Sequence, residues 1–108
     1  MSNPRLLAIE PSESISKGVS LGAVEGLRPG SGAPVAVLEF TVEPHASSEM
    51  GANPVTELIR VLSGRGVVLS NKQELSVQAG DWVLIEPNAS HQVRNEGTEV
   101  LRALSVSW

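Results

Sequence analysis

The sequence predicts an all-β domain, a sandwich or a barrel. Short β-branched runs recur at roughly 8–12 residue spacing, and Gly, Pro, Asn and Ser punctuate them. No stretch of ten or more residues carries a helical apolar period. With 108 residues the chain has room for one hydrophobic core and not for two. It is therefore expected to be a single domain over 1–108, with N-terminal strands and a loop over 1–33 and the core over 34–106.

Each element follows from local pattern. Arg5–Ile9 is a candidate first strand stopped by Pro11, and Val19–Val24 is a second with modest alternation. Between them Glu10, Glu13 and the serines of Ser12–Ser16 read as a solvated turn. Arg28–Pro34 (RPGSGAP) is a loop by composition. In Val35–Val42 the two-residue repeat puts Ala36, Leu38, Phe40 and Val42 on one side, with Glu39 and Thr41 on the other. Pro44 closes that strand, and the Ser, Gly, Asn and Pro of 45–54 read as a loop. Val55–Leu62 is the next strand, ending at Ser63-Gly64.

Gly66–Ser70 and Glu74–Val77 flank Asn71-Lys72-Gln73, a hairpin turn in which Asn tolerates positive φ. Ala79-Gly80-Asp81 turns the chain into Trp82–Glu86, and Pro87-Asn88-Ala89-Ser90 turns it into His91–Arg94. Asn88 is expected in the left-handed region. Asn95-Glu96-Gly97 is a turn whose Asn caps it, and Val100–Val106 is the last strand. Trp82, beside Val83 and Ile85, reads as core or a dimer contact. Trp108 reads as a cover for a barrel end or a partner subunit.

Composition narrows the functions. A formal charge of −4 without a basic stripe argues against nucleic acid as a partner. There is no cysteine, so neither a disulfide framework nor thiolate chemistry is expected. The first residues lack a basic segment followed by an apolar one, so no signal peptide is expected. No apolar run reaches the length of about eighteen residues that spans a membrane. A cytoplasmic location is the expectation. Neither a GxxxxGK loop nor a GxSxG elbow occurs. Tyrosine is absent, and Phe40, Trp82 and Trp108 are too few for a base-stacking platform.

Two residues carry the chemistry. In Val55–Leu62 the alternation places Glu57 on the face of Val55, Ile59 and Val61, where an ionised carboxylate is costly unless something neutralises it. Thirty-four residues later His91 shares a face with Val93, while Gln92 and Arg94 share the other. A carboxylate and an imidazole facing inward from separate strands are ligand types for a divalent transition metal. The same two side chains also make a pair that satisfies itself without metal.

These stretches resemble the two motifs of the cupin superfamily. Its first motif runs Gly, five residues, His-x-His, three or four residues, Glu, six residues, Gly. Here Glu57 and Gly64 stand in register, with Asn53 at the second His, Gly51 at the first and His45 at the opening Gly. The second motif runs Gly, five residues, Pro-x-Gly, two residues, His, three residues, Asn. Gly80, His91 and Asn95 match it; Glu86 and Asn88 replace the Pro and the second Gly, with Pro87 between them.

The resemblance covers about residues 34–106 and implies a double-stranded β-helix, or jelly-roll, barrel. A metal-binding cupin holds iron, manganese, nickel or zinc with two His and the Glu of the first motif and the His of the second. Of those, Glu57 and His91 remain. The resemblance thus makes them the candidate catalytic residues and metal ligands, with Asn53 as an oxygen ligand and His45 as a second imidazole if its loop folds back. It implies a small cupin that binds a small polar molecule and acts as a metal-assisted isomerase, cyclase or dioxygenase. The alternatives are a ligand-binding or sensor cupin without metal, and a structural domain with a filled core. A homodimer is the family habit.

Overall fold

The computed structural model describes residues 3–108, which hold nine strands and no helix. In chain order they are β1 (Glu13–Ser16), β2 (Val19–Ala23), β3 (Ala36–Val42), β4 (Glu57–Ser63), β5 (Arg65–Ser70), β6 (Gln73–Gln78), β7 (Trp82–Ile85), β8 (His91–Arg94) and β9 (Leu101–Ser107). They form two antiparallel sheets, ordered β1-β2-β3-β9-β4-β7 and β6-β5-β8. The last strand sits in the middle of the larger sheet, between β3 and β4. No helix among the described residues is long and apolar enough to cross a membrane.

The core lies between the sheets and follows from strand alternation. Ile59 and Val61 of β4 and Leu101 and Ala103 of β9 are buried, as are Val83 and Ile85 of β7. Val68 of β5, Val77 of β6 and Val93 of β8 meet them from the smaller sheet. Burying each Val, Ile or Leu contributes about 1.5–3 kcal/mol, and the eleven buried ones among the described residues hold the sheets face to face.

The N-terminal region departs from expectation. Arg5–Ile9 is no strand; Ile9 makes only an isolated bridge with Val24. Glu13–Ser16, expected as a turn, is the edge strand β1, pairing Glu13 with Leu21 and Ser14 with Ser20. Backbone hydrogen bonds hold this polar segment, and they leave no mark in an apolar pattern. Trp82 is not core. With Val83 and Ile85 inward, alternation turns it outward, 59% exposed, and the Arg60 guanidinium lies 4.8 Å from its ring centre.

The turns behave as their residues require. Asn71 and Lys72 both have positive φ, 50° and 66°, which gives the β5–β6 hairpin its two-residue turn. Asn88, at φ 67°, is left-handed as expected. Asn95 does more than cap a turn. It is 1% exposed; its Oδ1 accepts from Gly97 N at 2.9 Å, and its Nδ2 donates to Val42 O at 2.9 Å and Glu99 O at 2.7 Å. One amide thus ties the end of β3 to the turn that leads into β9.

Gly64 tests the packing between β4 and β9. Its φ is +81°, and an added Cβ would lie 2.6 Å from Val100 O. Gly30 has nearly the same φ, +82°, with open space around it. Gly64→Ala is expected to lose about 2 kcal/mol or more in urea unfolding and Gly30→Ala about 1 kcal/mol. Equal losses would show that the contact with Val100 does not matter.

Candidate functional site

Glu57 is the first residue of β4 and points inward, opposite Ser107 of β9 and Ile85 of β7. His91 opens β8 in the other sheet and faces it. Their side chains are 18% and 14% exposed, and His91 Nε2 lies 2.9 Å from Glu57 Oε1. The pair therefore bridges the two sheets through the interior. Ser105, buried on β9, donates its hydroxyl to Glu57 Oε2.

The other ring nitrogen decides the charge state. His91 Nδ1 is 3.2 Å from Ala89 O, which can only accept a hydrogen bond. Both nitrogens thus face acceptors when Glu57 is ionised, so both carry hydrogen and the ring is an imidazolium. Burial pushes the Glu57 carboxyl up, but His91 and Ser105 outweigh it and hold it below its ordinary 4.5. Contact with Glu57 outweighs burial at His91 and holds the imidazole above its ordinary 6.5. The Nε2–H is not aimed squarely at Oε1, which is buried without a well-directed donor. The contact is an ion pair.

A cavity of about 240 Å³ opens over this pair. Leu21, Leu38, Phe40, Ile59 and Val93 supply apolar wall, while Glu57, His91 and Ser105 are polar; Glu49 and Asn53 also line it. No lysine or arginine does.

The segment before β4 is held in register against β8. His45 N donates to Asn95 O, Ser48 N to Val93 O, and Gly51 exchanges both backbone bonds with His91. Gly51 is therefore beside His91. His45 sits four residues along an extended strand, about 13 Å away at about 3.3 Å per residue, and is exposed. The structure brings Glu57 and His91 together, leaves Asn53 exposed at the cavity wall and keeps His45 out of the site. The loop does not fold back because its backbone is already paired. Ser105 joins the site from a position the alternation of β9 marks, one polar side chain in the inward series Leu101, Ala103, Ser105.

These residues do not fit a resident metal. Among the described residues no three His, Cys, Asp or Glu side chains converge. Two charged donors remain where a transition-metal centre takes three or four protein ligands, and neither Asn53 nor His45 adds a charged donor beside them.

Residues 38–107 match the family model of the cupin domain. The chain belongs to the cupin family. Solved structures share its fold. One is described as a predicted oxalate decarboxylase from Thermotoga maritima, at 21% identity over 94% of this chain and 91% of that one, TM-score 0.74. Another is a cupin 2 conserved barrel domain protein from Salinispora arenicola, at 24% over 88% and 79%, TM-score 0.75. KdgF from Halomonas sp. matches at 12% over 91% and 86%, TM-score 0.75. No curated protein matches the sequence.

Two measurements check the site. His91, raised above 6.5, stabilises the fold fully below that value and less as pH climbs through its folded pKa. Glu57, lowered below 4.5, stabilises above that value and less as pH falls through its folded pKa. The difference in thermal midpoint between wild type and Glu57→Gln should peak between pH 4.5 and 6.5 and shrink on both sides. A pH-independent difference would contradict the ion pair. Separately, a Cβ at Gly51 meets nothing within 4 Å. Gly51→His with Asn53→His should hold a divalent ion through dialysis, by elemental analysis, where the wild type does not. Retention by the wild type would contradict the two-donor reading.

Proposed function

We propose that this cupin binds a small uncharged organic molecule by a carbonyl or hydroxyl group, on the Glu57–His91 pair and without a resident metal. The observation that carries this reading is the mutually compensated Glu57–His91 pair in the lining of a cavity with an apolar wall. The His91 imidazole donates to a ligand oxygen, and the Glu57 carboxylate accepts a ligand hydroxyl. Apolar wall excludes water and strengthens both bonds. At about 30 Å³ per water the cavity equals roughly eight waters in volume, which sets the scale of the occupant.

Charge argues for a neutral ligand. The imidazolium is already neutralised by Glu57, and no lysine or arginine faces the cavity. A ligand carboxylate would be buried there without a partner, at a penalty of several kcal/mol. The reading therefore parts from the substrate in the description of the Thermotoga maritima protein, which is a dicarboxylate.

Calorimetry on chelator-treated protein with short ketones and alcohols, and with oxalate and acetate alongside, tests this. The neutral compounds should bind, chelator should not matter, and Glu57→Gln should weaken binding about tenfold, as for one hydrogen bond to a charged group. Tighter binding of the carboxylates, or binding that appears only with added metal, would overturn it.

A further inference from the structure

Glu57 and Ser105 face two cavities. Beyond the first lies a second chamber of about 450 Å³, and the two share Leu38, Asn53, Glu57 and Ser105. The register explains the space. The inward row past Leu38 and Ser105 is Ala36, Ser107 and Glu57, so two of its three side chains are short. Pro34, Val35 and Val55 add apolar wall, and Glu57 is the one ionisable residue in the lining. Trp108 is also part of that lining. Its backbone exchanges both hydrogen bonds with Thr56, while the residue stays 53% exposed.

We infer that this chamber is a tail-binding subsite of the same ligand site. The ligand seats its oxygen on the Glu57–His91 pair and passes an uncharged alkyl or aromatic tail over Ser105 toward Trp108. This rests on the function proposed above and narrows the ligand to an amphipathic neutral molecule with its polar group at one end. Shared walls support the tail as occupant: Leu38, Asn53, Glu57 and Ser105 line both chambers. No cationic side chain lines the second chamber, so an anionic tail would be buried there without a partner.

The test is a homologous series of straight-chain methyl ketones, from 2-butanone to 2-decanone, titrated into chelator-treated protein by calorimetry. The Trp82→Phe protein, which leaves Trp108 as its single tryptophan, is titrated in parallel by fluorescence. Affinity should rise about fourfold per added methylene once the tail enters the chamber. Trp108 emission should respond to the long ketones and not to 2-butanone. Ala36→Leu on β3 and Val55→Phe in the bend before β4 each shrink the chamber. Both should abolish the chain-length gain while binding 2-butanone within about twofold of wild type, which itself reports a folded site.

A flat affinity across the series, with 2-butanone bound, would overturn the subsite and leave the proposed function standing. A chain-length gain that survives both filling variants would place the tail elsewhere and also overturn the subsite. Binding of no ketone at all would overturn both readings together.

Discussion

One partly buried ion pair links the two sheets of this molecule. Glu57 comes from the larger sheet and His91 from the smaller, so each charge is compensated across the interior by the other. Removing one partner of such a pair typically costs about 3–5 kcal/mol, whereas replacing both with apolar side chains is often neutral. The pair is thus a poor device for stability alone. A core that keeps such a pair fits the binding role proposed above better than a purely stabilising one.

Around that pair the fold arranges the rest by small means. Ser105 holds one oxygen of Glu57 while His91 lies against the other. Ala89 O holds Nδ1 of His91 and so sets Nε2 toward Glu57. Asn95 ties the β8 end of the smaller sheet to β3 of the larger, while Gly51 pairs with His91 and brings the preceding loop along the cavity wall. Ala36 and Ser107 leave room on the far side of the carboxylate. The result is a charge-neutral polar centre with apolar space on two sides, which suits an uncharged ligand better than an anion.

How much of this was legible in sequence depends on the kind of interaction. The strand alternation around Glu57 and His91 exposed both as inward polar residues, because a period of two is local and survives folding. The two cupin motifs carried the family from Glu57, Gly64, Gly80, His91 and Asn95 in register. His45 could not be placed that way. Its position depends on a loop pairing with a strand nearly fifty residues away. The β1 strand was missed for a different reason: it is a polar segment held to the neighbouring β2 by backbone hydrogen bonds, which leave no apolar pattern. Trp82 was misjudged where hydrophobicity was weighed above its place in the alternation with Val83 and Ile85.

By itself, then, the sequence determined an all-β chain with an inward carboxylate and an inward imidazole, and a first motif without its histidines. Those are properties of residue type, spacing and period. Only the tertiary structure decided that Glu57 and His91 meet at 2.9 Å, that Ser105 joins them, that His45 stays outside and that a second chamber opens behind the carboxylate. Each of these depends on which strand faces which across two sheets. Residues far apart in the chain set that geometry, and no local pattern encodes it.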